Sequence, residues 1–415
     1  MGNDLLLWIK EERGVTFVVV ALLMIILFGV AALAIDTGHL YMVKSELQNA
    51  AEAGCLAGGR FLYHHDGTVV NEDVNQVAYN AAIVNRSEGS PVEVQWSGGN
   101  AGDVERGHWC FATRVFTPNE SAQPVNLWDV SPEELDANPN FINAMRVKTR
   151  RQDTPVASYF AKIFGYENFS LLAEAIAYIG FAGTLAPREA DQPIAVCREA
   201  ILTDEKYTCT VGRRISLGWE TEREIGGWTD FSQDDPCTTG TNAQTVTSLV
   251  CNGGNPNPIF VRQPITTNPD DISSAFTRLR QCWEAVTGKT RPWTLTLPVV
   301  SCPSYEMDEC QNAVGAVTIH VVWITEEDDD PSYSDAPWTM ENPNTGTTWS
   351  SANPDGEVRW TSFVLNFNLQ RLNGSPASYR RKSIYFLPDC NDQQPKGRTG
   401  GENFGIMAKI PVLVR

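Results

Sequence analysis

Along the chain, the first clear pattern is an uncharged apolar run at residues 15–35, VTFVVVALLMIILFGVAALAI. As a helix rising about 1.5 Å per residue, it reaches roughly 32 Å and matches a hydrocarbon core of about 30 Å. It is too long for the apolar core of a signal peptide. Asp36-Thr37-Gly38, which follow it, offer no small-residue cleavage site. The run therefore predicts a retained membrane-spanning helix. Lys10 and Arg13 precede it and place a short tail, residues 1–14, on the cytoplasmic side; Glu11, Glu12 and Lys44 weaken that bias.

Helical periodicity continues past the run. Leu40, Val43, Leu47, Ala50, Gly54 and Ala57 recur at alternating spacings of three and four residues. They make one narrow apolar face, the pattern of a helix-packing seam. The face changes from bulky to small side chains, which lets another backbone or a sheet approach closely. Gly58 and Gly59 offer a stop. Span and stalk (36–59) are thus expected to form one helix from Val15 to Ala57, with Gly29 as a tolerated soft point.

Between residues 60 and 183 the pattern shortens. Strands are expected at Val92–Trp96, Trp109–Phe116 and Met145–Arg150. In the last, Arg146, Lys148 and Arg150 alternate with Met145, Val147 and Thr149, giving a half-buried strand with a basic, solvated outer face. Thr154 and Pro155 predict the start of a short helix carrying Val156, Tyr159, Phe160 and Ile163, ended by Gly165. Phe169–Phe181 reads as a further strand or short helix. A long helix followed by a small sheet and a crossing helix is a pilin-like α/β layout. Residues 182–193 form a boundary. From 184 to 415, short apolar runs between turn-rich stretches predict a β-rich exported domain. Strands are expected at Val299–Val300, Val317–Ile324 and Phe363–Phe367, and an amphipathic helix at Ile272–Val286. The fold class is therefore α+β: a transmembrane and stalk helix, a pilin-like region, then a β-rich, disulfide-containing domain.

Composition narrows the function classes. Of 415 residues, 42% are hydrophobic and 20% charged, which excludes wholesale disorder. The net charge of −18 disfavours nucleic-acid partners. Residues 1–60 carry only −2 of it, so the head should be repelled by an anionic lipid surface. Ten dispersed cysteines without a CxxC argue for disulfides and an oxidising compartment over buried cytosolic thiols. Only Cys55 and Cys110 precede the boundary. If the domains fold separately, these two pair and tie the stalk to a strand, a closure worth about 3–5 kcal/mol in the chain-entropy model. The rival is an intermolecular bond through Cys55. Among the other eight, proximity suggests Cys197–Cys209 and Cys237–Cys251.

Candidate chemistry is thin. HExxH, GxSxG, P-loop and GxGxxG patterns are absent, so no enzyme is expected and no cofactor or metal is assigned. His320 lies in an apolar strand and is expected to be structural; His64-His65 reads as a surface turn. Glu326–Asp330 is expected to be a solvated loop, with Asp328, Asp329, Asp330 and Asp335 as a weak calcium option. Trp338, Trp349 and Trp360, spaced by eleven, are read as core.

Residues 12–59, ERGVTFVVVALLMIILFGVAALAIDTGHLYMVKSELQNAAEAGCLAGG, resemble the N-terminal segment of TadE/TadG-like Flp pilus-assembly proteins. Arg13-Gly14, Ala34-Ile35-Asp36, Tyr41, Leu47-Gln48 and Asn49-Ala50-Ala51-Glu52-Ala53 carry the resemblance. Met145–Tyr178, and Trp293–Val300 with Val314–Ile324, fit the TadG branch more loosely. The resemblance implies a single-pass protein of the bacterial inner membrane with a periplasmic head, working with other pilus-assembly or pseudopilin-like proteins. Val19 stands where processed pseudopilins carry Glu, so cleavage by a prepilin peptidase is not expected. Some TadG-like proteins carry a DxSxS metal site. Here Asp271 and Ser273 are followed by Ala275, and such a site is poorly supported. Two classes remain: a structural assembly factor, or an envelope-anchored adhesin or ligand-binding protein.

Overall fold

The computed structural model describes residues 4–64, 69–217, 226–234, 237, 241–303, 306–325, 333–391 and 394–415. A single helix, Asp4–Arg60, carries both span and stalk without interruption. It is longer at each end than the apolar pattern alone required. Residues 15–35 are exposed almost throughout, and this helix is long and apolar enough to cross a membrane. From Asp36 onward one face is buried.

That face lies on a five-stranded antiparallel sheet. Its strand order is Val412–Leu413, Asn168–Tyr178, Ala144–Ala157, Val104–Cys110 and Val115–Pro118. The helix packs chiefly on the second and third of these strands and on a short helix, Val74–Ile83. Small residues make the approach possible. A Cβ on Gly58 would sit 2.8 Å from Ala78 Cβ, and one on Gly54 3.0 Å from both Ala78 O and Ala82 Cβ.

Three local expectations are corrected here. Trp109–Phe116 is a hairpin rather than one strand, because Arg114 turns the chain with φ 55°. Val92–Trp96 forms only an isolated bridge, between Glu93 and Arg150. No helix starts at Thr154-Pro155. The strand runs on to Ala157 across a bulge between Arg151 and Val156, and Pro155 sits inside that irregularity, where a missing N–H costs no ladder bond. A short 3₁₀ turn, Ala161–Phe164, follows and ends at Gly165, whose φ is 90°.

The C-terminal region is built on a seven-stranded sheet around the 16-residue strand Cys310–Thr325. Helix Ser273–Thr287 falls where the amphipathic pattern put it. Phe363–Phe367, expected as a strand, lies at the end of helix Gly356–Asn366 and its C-cap. Asp355 caps that helix by accepting from the N–H groups of Glu357 and Val358, and Trp360, Phe363 and Val364 are buried at helical spacing. Trp323 of the central strand meets Trp283 at 5.1 Å and Phe363 at 6.2 Å, so both helices cover the same face. Trp349 and Trp360 are core, as read. Trp338 instead stands half-exposed under the Arg359 guanidinium, 3.7 Å from its ring centroid.

Four disulfides stitch this region: Cys197–Cys302, Cys209–Cys390, Cys237–Cys310 and Cys251–Cys282. Neither proximity pairing forms, because sheet order overrides chain order. Cys197 is opposite Val300 in a parallel pair, which brings it to Cys302. Strand Arg213–Ser216 runs antiparallel to Ser383–Pro388, which brings Cys209 to Cys390. The Cys55–Cys110 bridge is also absent; both are free thiols. Cys110 ends the strand Val104–Cys110 and donates to Asp136, whereas Cys55 faces the core beneath the helix.

The close helix contacts make a direct prediction. Gly58→Leu should overpack the junction at Ala78 and cost about 1–3 kcal/mol. Gly29→Ala, with nothing within 4 Å, should leave stability unchanged. Thermal unfolding of the full chain in detergent checks both.

Candidate functional site

The functional interest lies where the helix leaves its apolar span and meets the sheet. Along the seam, Val43, Leu47, Ala50 and Gly54 are buried, while Leu40 and Ala57 are partly so. Val43, Leu47 and Ala50 pack with Val92, Val156 and Ala173. The seam is therefore occupied by the chain's own sheet. Polar groups fix its register: Thr149 Oγ1 donates to Leu47 O at 2.8 Å, Gln48 Nε2 to Glu174 O at 3.3 Å, and Lys44 to Leu172 O.

Asp36, the first residue past the span, is buried and anchors a loop distant in sequence. Its Oδ1 accepts from the N–H of Tyr159 at 2.8 Å and of Phe160 at 3.2 Å; its Oδ2 accepts from Phe160 at 3.1 Å and Ala161 at 2.6 Å. Burial pushes this carboxyl up. The three backbone donors and His39 outweigh that and hold it below the usual range. The carboxylate thus stays charged at neutral pH. His39 adds a ring contact to Tyr159 at 4.8 Å and a bond to Glu88 at 2.6 Å.

A second carboxylate secures the segment leading into the loop. Glu93 accepts from the N–H groups of Gln152, Asp153 and Thr154 at 2.7–2.8 Å and from Thr154 Oγ1 at 2.6 Å. Burial raises its pKa, but these four donors outweigh that and bring it down to about 2. The unpaired N–H groups of the bulge are satisfied in this way.

The other candidates are internal. Arg146 pairs with Glu105 and Arg150 with Asp103, so two of the three basic residues on that strand face are neutralised by the neighbouring strand's side of the sheet. Lys382 pairs with Asp271 and donates to Ser273 Oγ at 2.7 Å, so an ammonium already occupies that acidic position. Asp335 is paired with Arg280 at 3.2 Å and Lys289 at 2.8 Å. Asp328, Asp329 and Asp330 lie outside the described residues, as do His65 and the rest of the run Glu326–Asp330. Among the described residues no group of three or more His, Cys, Asp or Glu could hold a metal ion. His320 is buried, 2.9 Å from Thr294 Oγ1 and 3.2 Å from Asp389, which is a structural arrangement. Burial pushes the Cys55 thiol well up, which disfavours an exchange reaction through it in the folded chain. A cleft of about 1070 Å³ opens between the two sheets' regions, lined in part by Phe111, Tyr178, Glu205 and Tyr207. Its lining arginine, Arg198, is already paired with Glu199 and Glu402.

In the sequence, Asp36 is visible as the residue that ends the apolar run and as a member of the Ala34-Ile35-Asp36 stretch. Its partners were not visible, because Tyr159–Ala161 lie more than 120 positions away. Glu93 carried no sequence signal; an isolated acid beside a short apolar run is indistinguishable from a solvated one.

Two family models match the chain, end to end along its first part. The one described as "Putative Flp pilus-assembly TadE/G-like" covers residues 14–60. The one described as "Putative Tad-like Flp pilus-assembly" covers residues 57–177. Together they take in the span, the stalk and four of the five strands of the sheet beneath it. They bear out the TadE/TadG-like resemblance and support involvement in Flp pilus assembly. No curated protein and no solved structure matches the chain.

The two carboxylates give separate predictions. Asp36→Ala should speed hydrogen exchange at 158–166 while the strands Ala144–Ala157 and Asn168–Tyr178 keep their protection; mass spectrometry of the full chain reads this directly. Glu93 is depressed in the folded state, so its contribution is complete above its ordinary value of 4.5 and is lost as pH falls toward about 2. The thermal midpoint of the native chain should therefore fall through that window more steeply than that of Glu93→Gln, and the two curves should converge at its acid end.

Proposed function

We propose that the chain is a membrane-anchored, non-enzymatic component of Flp/Tad pilus assembly. Residues 1–14 form a cytoplasmic tail, 15–35 cross the bacterial inner membrane once, and 36–59 form the stalk. The region 60–183 and the β-rich region 184–415 make the exported head, which contacts pilus or secretion-machine partners. The observation carrying this reading is the coincidence of two pilus-assembly matches over 14–177 with an apolar helix that stays exposed along its span. Disulfides confined to the C-terminal region support export, since such bonds persist in oxidising compartments. The seam is filled by the chain's own sheet, so partners are expected to meet the head's outer surfaces and not Leu47 or Ala50.

Deleting the gene in its host should abolish or sharply reduce surface pili counted by electron microscopy, and expression of the full chain should restore them. Normal pili combined with lost attachment would replace this reading with the adhesin or ligand-binding one. Unchanged pili and unchanged attachment would overturn both.

A further inference from the structure

The loop between the strands Ala144–Ala157 and Asn168–Tyr178 exposes a cluster of apolar side chains to solvent. Ile163 is 75% exposed, Phe164 79%, Tyr166 64%, Tyr159 55% and Phe160 38%. An aromatic cluster of this kind, left in water, marks an interaction surface. The loop is not loose. Ser158 N–H donates to Glu167 O at 2.9 Å and Ser158 Oγ to Tyr166 O at 2.6 Å, which closes its base. Tyr166 N–H donates to Ala161 O at 3.2 Å, and Gly165 N–H to Lys162 O at 3.1 Å, which folds its tip. The apolar tip is thus held out in a defined shape.

Its position says what covers it. Asp36 binds the backbone of Tyr159, Phe160 and Ala161, and Asp36 immediately follows the last residue of the apolar span. Helix side chains tilt toward the N-terminus, so the Asp36 carboxylate reaches back toward the span and brings the loop with it. The loop is therefore level with the end of the hydrocarbon-length helix. Its composition fits that depth. Residues 158–166, SYFAKIFGY, hold four aromatic rings and Ile163, no acid, and Lys162 as the single charge. Aromatic residues with a snorkelling lysine are the signature of a membrane–water interface. In a chain of net charge −18, this is a segment without acidic side chains placed where anionic phosphates would stand.

We propose that residues 159–166 are a second membrane contact, a loop that inserts Ile163, Phe164 and the flanking aromatics into the interfacial layer of the same bilayer that residues 15–35 cross. The partner is a lipid surface. With the helix and the loop both engaged, the head has a fixed orientation on the membrane despite the acidity of the rest of its surface. Asp36 is the positioning residue, since it sets the depth of the loop relative to the span. The inference rests on residues 15–35 spanning a bilayer.

The test uses the full chain, one copy per nanodisc, in phosphatidylethanolamine with a minority of phosphatidylglycerol. In a Cys110→Ser background, which keeps a donor for Asp136, single nitroxide labels are placed at Ile163→Cys, Leu27→Cys and Val84→Cys. Phe164→Cys serves as a second loop position. Power saturation compares access of oxygen with access of a water-soluble nickel chelate. The loop labels should show nickel access several-fold below that at Val84, with oxygen access approaching that at Leu27. Loop labels as open to nickel as Val84, with Leu27 shielded, would overturn the loop contact and leave the anchor standing. Loop labels shielded from both reagents would overturn it, because the loop would then be packed against the chain's own head and not lipid. A Leu27 label open to nickel would overturn the anchoring and the loop contact together.

Discussion

One helix passes from an exposed apolar stretch into a protein core within a single residue, and the N-terminal half of the molecule is arranged around that change. From Val15 to Ile35 the helix is apolar on all sides and exposed, a composition suited to hydrocarbon. From Asp36 it becomes one-sided, and a sheet covers its apolar face. Asp36 marks the transition: its charge would be unfavourable in an apolar environment and is satisfied here by three backbone donors. A backbone that would otherwise leave N–H groups unpaired in a loop thereby finds acceptors.

Packing farther out follows from the same helix. Close approach to the sheet and to Val74–Ile83 requires residues without bulk, and Gly54 and Gly58, four apart, supply it on one face. The C-terminal region uses different physics. There, long loops around the central strand Cys310–Thr325 are held by four disulfides and by an aromatic cluster centred on Trp323 and Phe363. The two regions are not joined end to end. Strand Lys396–Gly401 pairs with Phe181–Ala182, and Val412–Leu413 adds an edge to the sheet beneath the stalk. Met407 and Ala408 belong to the core under that stalk. Backbone hydrogen bonds from the last twenty residues therefore bind the head to the stalk platform.

Legibility varied with the range of the interactions involved. The helix and its buried seam were readable because a period near 3.6 needs no knowledge of the partner; only the occupant of the seam was missing. Strand Ala144–Ala157 was half readable. Its alternation at Met145–Arg150 was plain, yet Pro155 mimicked a helix start because the bulge and the Glu93 contact that accommodate it are tertiary. Phe363–Phe367 misled in the opposite direction: a dense apolar run is compatible with either element, and the Asp355 cap and the buried Trp360–Phe363 spacing decide for helix. Of the cysteines, only the presence of disulfides was legible.

The sequence by itself determined the apolar stretch 15–35, the helix that continues it with its small-residue face, the TadE/TadG-like resemblance of the first segment and the β-rich disulfide region beyond it. All of these depend on composition and on spacing along a few turns of chain. Tertiary structure alone decided which cysteines meet, that the seam is filled from within, and that Asp36 holds a loop from beyond residue 158. These are contacts between residues far apart in the chain. Sheet order and register choose them, and neither is encoded in any local window.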